Sequence, residues 1–336
     1  MSHMTNPLAT PDQLFRRHSF GALPVELQDA IFFATQCLTQ AAGILLELPQ
    51  SVTAQANVLL ARYWLVEPLM SDEFSDVSAA TLYLTAKVSP HPRSPRDLSN
   101  VYAYLLSPAS PFFYHQPSSS PSHPSSSYYV PESAYHAFHA RLLRLEARVL
   151  HALSFNTHVA LPHPLAVTYL QSLDFLHRSR RRQDRDALAA RALAYLNAAL
   201  LSPQLLYCTH QPHALAVAAV YNAARDLAAK MPECEWWEVF DVDREELGFL
   251  VVAMRSLEGW GKVMRETLRG MMVAAGGMGN GMVTREAVRR ELKRRGVVVA
   301  AAVEGGNGGE EGLDAEEEVA RRMDEKRVAM EGVEAS

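Results

Sequence analysis

The chain has 336 residues, enough for about two domains and for a core that needs no disulfide or metal staple. Hydrophobic residues make up 48% and charged residues 21%, which is the balance of a folded globular protein, and the net charge of -5 argues against non-specific nucleic-acid binding by the chain as a whole. Cys37, Cys208 and Cys234 are odd in number and far apart, which excludes a disulfide framework and a C-x-x-C zinc half-site and fits a reducing compartment. No run of about 18 apolar residues and no apolar signal core is found, so neither a membrane span nor secretion is expected.

The pattern is helical throughout, with no period-2 strand series. Leu27, Ile31, Ala34, Leu38, Ala42 and Leu45 recur at helical spacing, and Val52, Ala56, Leu59 and Tyr63 repeat it after Pro49. Val77 to Val88 is apolar nearly all round, the mark of a central buried helix whose alanines admit close neighbours. Ser94-Pro95-Arg96-Asp97 supplies a cap, a proline for the first helical position and an acid for the first turn. Ser107 to Ser127 is rich in Ser and Pro and reads as an exposed insertion inside a domain. Its Ser-Pro pairs at Ser107, Ser110 and Ser120 fit plain linker composition better than phosphorylation sites.

Helical pattern resumes after Pro131, and Leu142, Leu145, Val149 and Leu153 mark one strong helix. Asn156 to Pro164 is a connector. Helices are then predicted over Pro164–Leu176, Asp186–Leu200, Pro212–Ala229 and Asp243–Leu257, with a turn near Trp236–Phe240. Pro212–Ala229 repeats the small-residue character of the earlier central helix, so two packed five-helix units are the natural architecture. Beyond them, 261–302 carries 9 basic and 3 acidic residues, and 303–336 carries 11 acidic and 4 basic. With glycines at Gly276–Gly281 and Gly305–Gly309, this region reads as a flexible charged tail outside the core.

The order of several blocks resembles the cyclin family. LTQAAGILLELPQ (Leu38–Gln50), RYW (Arg62–Trp64), AATLYLTAK (Ala79–Lys87), PRDLSNVYAYL (Pro95–Leu105) and RLEARVLHALSF (Arg144–Phe155) match a first cyclin box. LPHPLAVTYLQSL (Leu161–Leu173) resembles the opening of a second. Gln40–Leu46 with Leu48–Gln50 is most similar to the L-type cyclins of transcription and RNA processing. The resemblance implies an all-α fold of two tandem five-helix cyclin boxes. It divides the chain into an N-terminal extension (1–23), a first box (24–160, with the insertion at 107–127), a second box (161–260) and a tail (261–336). Ala61 stands where cell-cycle cyclins carry an aspartate, Val88-Ser89-Pro90 replaces the acidic residues that often follow the lysine, and no arginine-serine-rich tail is present.

The resemblance assigns kinase contact to Lys87 and Glu146 and a structural role, tying helices within the box, to Arg62. It implies a heterodimer with a cyclin-dependent Ser/Thr kinase. Through that kinase come contact with RNA polymerase II or the splicing machinery and a nuclear location. No enzyme activity, cofactor, membrane association or direct DNA binding is expected. The alternative is a cyclin-fold factor of the TFIIB type without a kinase, but its zinc ribbon and basic body have no counterpart here.

Other residues read structurally. Trp236 and Trp237 suit the core of the second box, and Cys37 is a small core residue. His136 and His139 lie three apart, yet no Cys or carboxylate cluster completes a metal site. No G-x-G-x-x-G, P-loop or G-x-S-x-G is present. Arg285–Arg295 reads as a basic helix between Thr284 and Gly296, suited equally to an import or RNA-contact patch and to a solvated face.

Overall fold

A computed structural model describes residues 4–19, 23–107, 110, 129–175, 182–274 and 283–296. Most of the expected insertion and the whole acidic block lie outside the described residues. Among the described residues all regular structure is helical, and no helix is long and apolar enough to cross a membrane.

The first helical set is α2 (Val25–Leu45), α3 (Gln50–Val66), α4 (Phe74–Val88), α5 (Pro95–Leu105) and α6 (Glu132–Ala152), preceded by the short α1 (Pro11–Ser19). The residues explain the layering. In α4, Phe74, Val77, Ala79, Ala80, Leu82, Leu84 and Ala86 are all buried, so the helix can only be central. It packs against α2, α3, α5 and α6. Its hydroxyls are absorbed locally: Thr81 and Thr85 donate to carbonyls one turn back, and Ser78 Oγ lies 2.7 Å from both Thr39 Oγ1 and Tyr102 Oη. The Ser94 cap of α5 forms as expected. Ser94 Oγ accepts from Asp97 N at 3.1 Å, and the Asp97 carboxylate accepts back from Ser94 N.

The second set is α7 (Pro162–Ser172), α8 (Arg182–Ala199), the single turn α9 (Leu206–Thr209), α10 (Pro212–Asp226) and α11 (Arg244–Ala274), with a 3-10 turn at Glu238–Phe240. Helix α10 repeats the role of α4. Ala214, Ala216, Ala218, Ala219, Ala223 and Ala224 are buried, and α7, α8 and α11 pack around it. The internal repeat extends to the backbone: α2 is followed at Glu47, and α7 at Asp174, by a non-glycine residue in the left-handed region. Trp236 is buried as expected, edge-on to Trp237 at 6.0 Å.

The reading of 261–336 as a tail outside the core is corrected for its first part. Helix α11 does not stop near Leu257 but runs to Ala274, and Met264, Leu268 and Met271 are buried. These positions continue the helical stripe of Leu250, Met254 and Leu257 and carry it onto α2. The basic composition masked that stripe. A further helix, α12 (Arg285–Arg294), buries Val288 and Leu292, and Val283 just before its cap is buried too. Thr284 caps it, Arg285 N donates to Glu73 Oε1, and Arg295 pairs with Glu26 at 3.6 Å. The basic block is therefore seated on acids of the first helical set.

Candidate functional site

Helix α4 ends where Ser89 N bonds back to the carbonyls of Thr85 and Ala86, just before Pro90, a residue that disfavours helix in its predecessor. Lys87 occupies that last turn, where the helix dipole favours a cation. Its Nζ lies 3.0 Å from Glu146 Oε1 of α6. The pair is asymmetric: the Lys87 side chain is 55% exposed and Glu146 only 9%. The hydrogen bond from Lys87 to Glu146 raises the lysine pKa above its ordinary value. The ammonium also lies 5.6 Å from the centre of the Tyr83 ring.

Exposed apolar side chains occur on and just after the same helices. Val88 follows Lys87, Leu143 lies one turn before Glu146 on α6, and Phe155 follows α6; all three are exposed. Ile44 and Leu45 close α2 and are exposed too. Arg93, after α4, binds the carbonyls of Leu46 (2.7 Å) and Glu47 (3.2 Å), so the ends of α2 and α4 are tied together. This is a fixed ion pair beside exposed apolar groups. It offers a carboxylate, an ammonium and apolar area to a partner, and no nucleophile with an activating base.

The other expected residues lie elsewhere. Arg62 is buried in α3, and burial lowers its pKa. Its Nη1 donates to His158 O at 2.7 Å, while Nε and Nη2 are buried without a hydrogen-bond partner among the described residues. The tie runs within 24–160, from a helix to a connector rather than between two helices. Arg62 holds α3 to the connector after α6. His136 is exposed and pairs with Glu132, and among the described residues no group of three metal-ligating side chains occurs. Cys37 is half-buried, and burial pushes its thiol up to about 12.

No family model matches the chain. Among curated proteins, Cyclin-L2 of Mus musculus is 30% identical over 246 residues, covering 73% of this chain and 43% of that protein. Cyclin-L1 of Homo sapiens is 31% identical over 211 residues, 62% of this chain and 36% of that protein. An uncharacterized cyclin-L1-like protein of Schizosaccharomyces pombe is 28% identical over 236 residues, 68% of this chain and 83% of its own length. Over most of its length the chain is similar to the L-type cyclins. It spans less than half the length of the animal cyclins it matches. A solved chain from the yeast RNA Pol II CTD kinase CTDK-1 complex aligns with a TM-score of 0.58 at 14% identity, covering 92% of this chain and 88% of that one. A chain of the Chaetomium thermophilum CAK complex bound to ATP-gamma-S gives 0.55 at 16% identity, covering 91% and 94%. At such identities the likeness shows the fold, and that fold is the tandem cyclin box.

Within the cyclin fold, sequence reasoning missed the polar contacts that join the two boxes. Gln40 donates to Gln50 Oε1 at 2.6 Å, Gln50 donates to Asn197 Oδ1 at 3.0 Å, and His163 Nε2 lies 2.9 Å from the same oxygen. This chain of contacts runs from α2 and α3 to α7 and α8. It also missed Asn6. The Asn6 side chain donates to Ala160 O (2.9 Å) and accepts from Ala160 N (2.8 Å). Its backbone N–H donates to Gln211 Oε1 and its carbonyl accepts from Gln211 Nε2, both at 3.0 Å. One signal was available: Gln40 and Gln50 both lie in the most L-like stretch, and two half-buried amides ten residues apart need partners.

Proposed function

We propose that this chain is the non-catalytic regulatory subunit of a cyclin-dependent Ser/Thr kinase, and that the kinase binds the face built around Lys87 and Glu146. The observation that carries the reading is the meeting of Lys87 and Glu146 across 59 residues of sequence, at 3.0 Å, beside exposed apolar groups. The L-type relatives support the cyclin role. In this reading the first box is 24–160 and the second 161–260. The kinase complex works in the nucleus on RNA polymerase II transcription or pre-mRNA processing. The polymerase link is supported by the yeast neighbour, a chain from an RNA Pol II CTD kinase complex.

The mechanism is a population shift. A kinase is active when its mobile helix presents a glutamate to the lysine that aligns ATP. Lys87 and Glu146 are already paired, so their side chains lose little freedom on binding. They engage backbone groups of the mobile helix and the loop before it, while Val88 and Leu143 add apolar area. Binding the active arrangement more tightly than the inactive one shifts the kinase toward activity.

The test begins with copurification of the chain and identification of the kinase that comes with it. Lys87→Ala and Glu146→Ala are then expected to weaken binding by about 2–5 kcal/mol, roughly 30-fold to several thousand-fold. Lys87 is more than half exposed but Glu146 is buried, so Lys87→Ala leaves a carboxylate without its partner at a cost of about 1–3 kcal/mol, and a thermal melt of each variant separates that loss from the loss of binding. The exchanged pair Lys87→Glu/Glu146→Lys should keep the internal ion pair and still lose the kinase. Kinase binding by the exchanged variant equal to the parent's would remove Lys87 and Glu146 from the interface.

A further inference from the structure

A concave site lies away from α4 and α6, between α2, α8 and α11. It is a cleft of about 570 Å³, within the range that takes a bulky side chain or a small ligand. Its floor is apolar, with Phe33 of α2, Leu201 after α8, and Met254, Trp260 and Leu268 of α11. Phe33 and Trp260 meet edge to face at 5.3 Å, which fixes the floor across the two boxes. The rim is cationic: Arg191, Arg255, Arg265 and Arg269 line it against one carboxylate, Glu258. Asp226 occupies Arg191 at 2.6 Å and Arg255 at 3.0 Å. Glu258 is held by Lys262. Arg265 and Arg269 stand one turn apart on α11, and Arg265 donates to Gly261 O of its own helix at 3.3 Å.

We propose that this cleft docks an acidic peptide segment of a partner protein, with one bulky apolar side chain on the Phe33–Trp260 floor and flanking carboxylates on Arg265 and Arg269. An apolar floor under two cations spaced along one helix suits a segment that alternates an anchor with acids. Lys87 and Glu146 lie on α4 and α6, whereas the cleft is walled by α8, α11 and the Phe33 part of α2, eleven residues before Ile44, so both partners can be held together.

The experiment is a calorimetric titration of the full chain without kinase, so its outcome is independent of the kinase reading. The probe is an acetylated, amidated octapeptide in which Leu-Phe is flanked by six acidic residues. Saturable one-to-one binding is expected. A peptide with Ser-Gly in place of Leu-Phe should bind at least roughly tenfold more weakly, a loss of about 1.4 kcal/mol. A peptide with lysines in place of the acids should not bind. Ala194→Trp, at an exposed α8 position lining the cleft, should block the floor. Arg265→Glu/Arg269→Glu, at exposed positions, should abolish binding, with a melt verifying the fold of each variant. Absence of saturation would overturn the proposal. So would equal affinity for the Ser-Gly peptide, or parental affinity in either folded variant.

Discussion

Replacing Asn6 by Ala is expected to loosen the whole N-terminal segment from the body. The side chain makes two hydrogen bonds to the backbone of Ala160, at 2.9 and 2.8 Å, in the connector between the boxes. Each such bond contributes about 0.5–1.5 kcal/mol net, and a donor left without a partner costs about 1–3 kcal/mol. Since Ala160 is only half-buried, water recovers part of that loss. The expected cost is about 2–4 kcal/mol. Gln211→Ala removes the other half of the clamp, the two 3.0 Å bonds to the Asn6 backbone. Both halves serve one docking event, so the double variant should cost little more than the worse single one. Urea unfolding of the parent, both singles and the double measures all four corners. Strict additivity, or an Asn6→Ala change below about 0.5 kcal/mol, would refute the clamp.

Two further outcomes follow from the packing. Gly43→Ala should destabilise by about 1–2 kcal/mol, because a Cβ there meets the buried Thr53 side chain and the helix-propensity gain offsets only part of the clash; chemical denaturation checks it, and a stabilised variant would contradict the close approach. Glu291 is held down to about 2 by its hydrogen bond to Arg294, then Arg295, against the opposing effect of burial. Its folded value lies below the ordinary one. Its stabilising contribution is therefore whole above about pH 4.5 and is lost as pH falls toward 2. Hydrogen-exchange protection of α12, corrected for intrinsic rates, should drop between about pH 5 and pH 3 in the parent and stay flat and low in Glu291→Gln.

The helices were legible because their apolar residues are periodic. Val77–Val88 announced itself as central because it is apolar nearly all round, and Pro212–Ala229 because it repeats that helix's small-residue character. The Ser94 cap was legible because capping depends on four consecutive residues. Lys87 and Glu146 could be named only through resemblance, since a sequence separation of 59 leaves no local pattern. Asn6 was illegible for the same reason in stronger form. Its partners lie 154 and 205 residues away, and an asparagine in an extended segment carries no mark of what it will touch. The continuation of α11 was misread for a different cause. Nine basic residues in 261–302 drew attention to charge, while a stripe spaced every three or four residues ran beneath them.

That continuation has a consequence for how the protein can be taken apart. Helix α11 spans 31 residues, about 46 Å of uninterrupted rod, rooted against α8 and α10 and ending along α2. It works as a splint laid across both halves. A chain shortened at Trp260 would cut the rod near its middle and uncover the part of α2 that it shields. Such a fragment should gain an apolar scar that the full chain never presents, and it should self-associate for that reason alone. The two halves are accordingly expected to melt in a single transition while the splint is whole, and in two once it is cut.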